Sequence, residues 1–121
     1  LPGAVRLRGA LSLPALEQAF ASLVARHETL RTVFQRQADE RLAQVAVEPS
    51  VTVEHLDFTA LAFDAREQAV NAAATRQSLL PFDLEHGPLL RVQLLKLAEQ
   101  EHVLLLTLHH IVSDGWSMNV L

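Results

Sequence analysis

Cysteine is missing from all 121 residues. That excludes a disulfide framework, a thiolate metal site and a cysteine nucleophile, and it fits a cytoplasmic protein. Positive charge is in short supply: 10 Lys and Arg stand against 14 Asp and Glu, a net charge of −4 with the signs scattered along the chain. Nucleic acid and anionic membrane are therefore poor partners. No apolar run reaches the length of a membrane span, because the longest is broken at His109. No basic segment leads into an apolar one at the N-terminus, so no secretory signal is visible. Repeats and low-complexity tracts are lacking too. What is there is a chain whose residues are 50% hydrophobic, enough for one domain with a modest core.

The apolar pattern sorts into elements. Residues 4–8 alternate Val5 and Leu7 with Arg6 and Arg8, which predicts a half-buried strand. Ser12 and Pro14 are helix-start signals, and Glu17 reads as a favourable first-turn acid. Leu16, Ala19, Phe20, Leu23, Val24 and His27 follow at helical spacing and predict an amphipathic helix. Residues 30–35 read as a strand. Asp39-Glu40-Arg41 is a charged turn, and residues 42–47 and 51–56 are two more strands. Asp57 to Thr59 carries cap residues. Residues 64–78 are Ala-rich and charged, with Val70, Ala73, Ala74 and Gln77 on one face, which suggests an outer helix lying on a sheet until Pro81 stops it. Residues 89–97 and 102–110 read as antiparallel strands around a polar loop. His55, His86 and His102 read as surface residues, and Arg6, Arg8, Arg91 and Lys96 as solvated strand faces. Hairpins outnumber crossovers. The expected class is an α/β (α+β) sandwich with a mixed or largely antiparallel sheet.

The chemistry gathers where the last apolar run ends, at His109-His110-Ile111-Val112-Ser113-Asp114-Gly115-Trp116-Ser117. Side chains alternate along a strand. Leu104, Leu106, Leu108 and His110 therefore share one face, and Val103, Leu105, Thr107 and His109 the other. One histidine at most faces a given cleft. A neutral imidazole at a buried strand end can accept a proton from an amine or hydroxyl, or hold that group by a hydrogen bond. Gly115 permits close approach of the backbone or a positive φ. Asp114 can cap a helix or pair with a cation. The residues alone leave plainer readings open: two polar residues at a strand end, and an Asp-Gly turn. A metal site is weakly supported, because adjacent strand histidines diverge and no third ligand stands at a recognisable spacing.

This segment resembles the HHxxxDG signature of condensation domains of nonribosomal peptide synthetases. Upstream, Arg26-His27-Glu28-Thr29-Leu30-Arg31-Thr32-Val33-Phe34 resembles the family's RHExLRTxF motif at every fixed position. Pro81-Phe82-Asp83-Leu84 and Gly87-Pro88-Leu89-Leu90-Arg91 are similar to family segments as well. The resemblance covers the whole chain but only the first part of such a domain. It implies a chloramphenicol acetyltransferase-like fold of two lobes, of which residues 1–121 would supply most of the N-terminal lobe, without the family's first motif and without the C-terminal lobe.

The resemblance implies an acyltransferase that forms amide bonds. Upstream and downstream carrier proteins present the donor and acceptor as thioesters on 4′-phosphopantetheine arms, with an adenylation domain adjacent. No acyl-enzyme, resident cofactor or metal is implied. His110 would face the tunnel as general base or as a hydrogen-bonding group that positions the amine. His109 and Asp114 would be structural. A backbone N–H near Gly115 would aid the oxyanion. Arg26 and Arg31 are the candidate cations to pair with a buried Asp114, since an unpaired buried charge is costly. Ile111-Val112-Ser113 and Trp116-Ser117-Met118 resemble domains joining an L-donor to an L-acceptor. Ester-forming carrier- or CoA-dependent relatives and a non-catalytic carrier-docking role remain as alternatives. The isolated segment is expected to be inactive.

Overall fold

The structure is a computed structural model that describes residues 2–48 and 51–109. Its elements are β1 (Pro2–Arg8), α1 (Leu13–Arg26), a 3-10 turn (Glu28–Arg31), β2 (Thr32–Arg36), β3 (Leu42–Ala46), β4 (Val53–Asp57), α2 (Phe63–Leu79), β5 (Leu90–Ala98) and β6 (Glu101–Leu108). The main sheet has the order β1-β6-β5-β4. β6 runs antiparallel to both neighbours, and β4 lies parallel to β5. β2 and β3 form a separate antiparallel ribbon. The parallel pair needs a crossover, and α2 provides it.

β5 and β6 place buried apolar residues on both faces because both faces are covered. On one side Val92, Leu94 and Leu104 pack with Val24 of α1 and Leu30. On the other, Leu95, Leu97, Val103 and Leu105 pack with Val70 and Ala73 of α2. The result is a three-layer α/β sandwich with a largely antiparallel mixed sheet. The predicted alternation along β6 holds: Leu104, Leu106 and Leu108 pack into the first cluster, Val103 and Leu105 into the second.

Local chemistry explains the helix ends. Ser12 Oγ accepts from the Ala15 N–H at 3.3 Å, capping α1. Pro14 sits in the first turn, where its missing N–H costs nothing. Glu17 falls outside that first turn and instead meets His55, Nε2 to Oε1 3.3 Å. α2 has no side-chain cap. Its weak apolar face is compensated by Arg66, which donates to Leu97 O at 2.8 Å and Leu61 O at 3.2 Å. Val70, Ala73 and Gln77 are its buried residues, on the face that the residue pattern predicts.

Other expectations are corrected. Residues 30–35 do not begin as a strand: Leu30 N–H donates to His27 O at 2.9 Å, and the 3-10 turn buries Leu30 before β2 starts at Thr32. Asp57 caps no helix; its Oδ1 accepts from the Thr59 N–H at 2.9 Å and the Thr59 hydroxyl at 2.6 Å in a local turn. His102 is not a surface residue. β6 lies inside the sheet, so His102, between Leu7 and Lys96, is 8% exposed. Arg6 is not simply solvated, since it bridges Glu67 at 3.1 Å and Glu101 at 2.7 Å. His86 is exposed as expected.

The segment between α2 and β5 folds back on itself around Asp83. Its Oδ1 accepts from the Glu85 and His86 N–H groups at 3.0 and 3.2 Å, and its Oδ2 meets His86 Nδ1 at 2.7 Å. Gly87 has φ +65°, a left-handed conformation that favours glycine, and a Cβ there would stand in tight contact, 3.2 Å from Val33 Cγ1. Phe34 N–H donates to Leu84 O at 2.7 Å and ties the segment to β2.

The packing and the loop can each be tested. Leu95 is 0% exposed. Leu95→Ala should destabilise the domain by about 2–5 kcal/mol in denaturant unfolding, whereas Leu42→Ala, at an exposed site, should stay within about 0.5 kcal/mol; equal costs would contradict the layer assignment. The hydrogen bond to Asp83 raises His86 above its ordinary 6.5, and the same bond lowers Asp83 below its ordinary 3.8. The His86 contribution is present below 6.5 and is lost as pH rises through the raised value. The Asp83 contribution is present above 3.8 and is lost as pH falls through the lowered value. The loop is therefore tightest between those two limits. In an NMR titration His86 should titrate above 6.5 and Asp83→Asn should return it towards that value; an unchanged His86 midpoint would dismiss the pair.

Candidate active site

β6 carries the chain to His109, and the His109 N–H donates to Leu89 O at 2.9 Å, one step beyond the last strand pair. His110, Asp114 and Gly115 lie outside the described residues. The site is thus described up to the residue that precedes His110.

His109 sits against Phe82. The ring centroids are 5.4 Å apart and the planes cross at 83°, an edge-to-face contact. The Arg91 guanidinium lies over the Phe82 ring, 4.0 Å from its centroid. Arg91 is in turn held at the carbonyl end of α2, donating to Leu80 O at 2.7 Å, to Gln77 O at 3.3 Å and to Pro81 O. The buried Gln77 reciprocates, Nε2 donating to Arg91 O at 3.2 Å. A cation suits the negative end of the helix dipole. Burial lowers the Arg91 pKa from its ordinary value, yet a guanidinium keeps its charge at any physiological pH. The expectation that Arg91 is a solvated strand charge is therefore corrected.

The two arginines named as partners for Asp114 differ. Arg26 is exposed in the last turn of α1. Arg31 is half-buried. Its Nη1 donates to Val47 O at 3.1 Å, and its backbone O accepts from the Val47 N–H at 2.9 Å. Its buried Nε has no hydrogen-bond partner among the described residues. Arg31 lines a cavity of about 80 Å³ with Val33, Val47, His86 and Gly87. The geometry thus separates the two candidates: Arg31 has an unmet buried donor, and Arg26 does not.

The structure brings His109 to the end of β6 as expected, and it adds Phe82 and Arg91, which sequence reasoning missed. The available signal was Arg91, a charge set directly after the apolar pair Leu89-Leu90 at the start of β5. Among the described residues, no group of three or more His, Asp or Glu is gathered as metal ligands, and no helix is long and apolar enough to cross a membrane.

Comparison with known proteins bears on the whole chain. The family model described as "Condensation domain" matches residues 1–121. A linear gramicidin synthase of Brevibacillus parabrevis is 43% identical over 120 residues, covering 99% of this chain and 2% of that protein. Malpibaldin synthetase of Mortierella alpina is 39% identical over 122 residues, 100% of this chain and again 2% of that protein. The chain thus spans about one-fiftieth of the length of these relatives. Among solved structures, the starter condensation domain of rhizomide synthetase superposes with a TM-score of 0.80 at 27% identity, over 91% of this chain and 26% of that one. The chloramphenicol acetyltransferase-like fold that the motifs implied therefore holds. With a family model over its full length and relatives of this identity, the chain belongs to the condensation-domain family of nonribosomal peptide synthetases.

Proposed function

We propose that this chain is the histidine-bearing part of a condensation domain that forms amide bonds between carrier-bound substrates. The observation that carries the reading is the family match over residues 1–121, with His109-His110 and Asp114-Gly115 in their motif positions where β6 ends. An upstream carrier protein presents an acyl or peptidyl thioester on its phosphopantetheine arm, and a downstream carrier presents an aminoacyl thioester. The acceptor amine attacks the donor carbonyl. A C–N bond forms, the C–S bond breaks, the donor arm leaves as its thiol, and the amine loses one proton. His110 takes that proton and passes it to the departing sulfur, or holds the amine in line for attack while the proton passes to the sulfur. The backbone near Gly115 stabilises the oxyanion. Ile111-Val112-Ser113 and Trp116-Ser117-Met118 support an L-donor and an L-acceptor. The setting is cytoplasmic, beside an adenylation domain.

The test uses the full domain with two loaded carriers, and mass spectrometry follows transfer to the downstream arm. His110→Ala should reduce transfer by about 10²–10⁴-fold while the fold survives. Equal losses from a folded His109→Ala would show that the roles of the two histidines are misassigned. Transfer to a hydroxyl acceptor but to no amine would move the protein to the ester-forming relatives, and transfer to neither would favour a docking role.

Arg31 is the cation proposed for Asp114, because its buried Nε lacks a partner among the described residues. A double-mutant cycle of Asp114→Asn and Arg31→Gln should show a coupling of about 0.5–3 kcal/mol, together with a lower rate. Normal stability and normal rate in Asp114→Asn would refute the pair.

A further inference from the structure

The hairpin end of the main sheet, opposite to the end that carries His109, holds polar groups that acyl transfer does not use. Cross-strand register sets them in a row: His102 of β6 pairs with Lys96 of β5, and Lys96 with Asp57 of β4. Side chains two apart on a strand share a face. Leu104 and Leu94, two residues from His102 and Lys96, pack in the cluster beneath α1, so the row is on the α1 side of the sheet. A cavity of about 410 Å³ opens over it, a size within the range of about 300–1,000 Å³ of small-molecule sites. Leu11, Leu13, Leu56 and Leu94 give that cavity an apolar wall.

The polar groups in the cavity have unmet bonding capacity. His102 is 8% exposed, and its buried Nδ1 has no hydrogen-bond partner among the described residues. Such an orphaned buried nitrogen is uncommon. Histidine χ2 is broad, so a modest ring rotation presents Nδ1 to the cavity that His102 lines. Lys96 Nζ donates to Glu99 Oε1 at 3.3 Å, but the Glu99 side chain is 91% exposed, and an ion pair so open to water is readily exchanged. Asp57 is ionised: hydrogen bonds from the Thr59 hydroxyl and N–H, with the charge of Lys96, hold its carboxyl below the ordinary 3.8. Cation and carboxylate thus stand on adjacent strands, about 4.8 Å apart. A simple anion would meet Asp57 and Glu99, and a simple cation would meet Lys96. A small molecule that carries both charges and an apolar tail suits every wall.

We infer that this cavity binds a free α-amino acid with an apolar side chain. The carboxylate accepts from Lys96 and from His102 Nδ1–H, the ammonium donates to Asp57, and the side chain lies against the leucines. Seven residue steps separate His102 from His109, roughly 23 Å of extended chain. The site is therefore separate from the histidine end of β6, and its occupancy does not depend on the acyl-transfer reading.

The experiment titrates the full domain with L-leucine, with NMR of labelled histidine rings to locate binding and calorimetry to measure it. The His102 ring signals should move saturably and those of His86 should not, with a Kd on the order of 1 mM. 4-Methylpentanoate lacks the ammonium and 3-methylbutylamine lacks the carboxylate; each should bind at least about ten-fold more weakly. Asp57→Asn keeps an acceptor for Thr59 and should weaken leucine about ten-fold while leaving 4-methylpentanoate unchanged. Lys96→Met should weaken leucine by a similar factor while leaving the amine unchanged, and Lys96→Gln serves if Lys96→Met does not fold. Leucine that moves no His102 signal at about 10 mM, ten times the expected Kd, overturns the proposal. So does leucine that binds both variants as tightly as wild type. Equal affinity for leucine and 4-methylpentanoate overturns it as well, because the ammonium is then not recognised.

Discussion

The strand β6 is hydrogen-bonded on both edges and covered on both faces, and the rest of the molecule depends on that confinement. Its neighbours β1 and β5 take its backbone groups, and the α1 and α2 layers take its side chains. A one-residue slip would send every side chain to the opposite layer. With Leu104 committed to one cluster and Val103 and Leu105 to the other, no such slip is tolerable. The strand is therefore a fixed rail, and whatever its last residue carries is delivered at a fixed place.

The two layers meet at the end of that rail. Phe82 belongs to the cluster beneath α1, while Arg91 reaches the carbonyl end of α2. Their stacking joins the layers just where β6 leaves the sheet. A guanidinium placed there binds three carbonyls at the end of α2, those of Gln77, Leu80 and Pro81. The same group that closes the helix thus orients the aromatic ring beside His109. Stability and site geometry share one side chain.

Much of this was legible in the chain and some was not, for physical reasons. α1 was legible because Leu16, Phe20, Leu23 and Val24 repeat at helical spacing behind a Ser12 cap. β6 was legible because a doubly covered strand reads as a nearly continuous apolar run, and β5 as its partner across the polar hairpin loop. The face of α2 was legible even though it includes Gln77, because Val70 and Ala73 set its angle. The 3-10 turn at residues 28–31 was hidden, since Leu30 and Val33 fit a strand as readily as a turn. The burial of His102 was hidden as well: a polar residue next to a hairpin loop looks exposed until β1 is known to pair outside it. Arg91 and Phe82 come together only through the return of α2 onto the sheet, a contact with no local signature.

A histidine in this position suits the proposed chemistry for the same physical reason. In that reaction both substrates arrive on arms carried by other proteins, so this chain contributes orientation more than binding. Orientation is only as good as the support behind it. A histidine on a free loop would sample many directions and lose rate through poor alignment. His109, at the end of a strand paired on both edges, has its ring against Phe82, and Phe82 lies against the clamped Arg91. The rigidity of the β5–β6 core thus extends to the end of β6, and through Arg91 the C-terminal carbonyls of α2 share in holding that end.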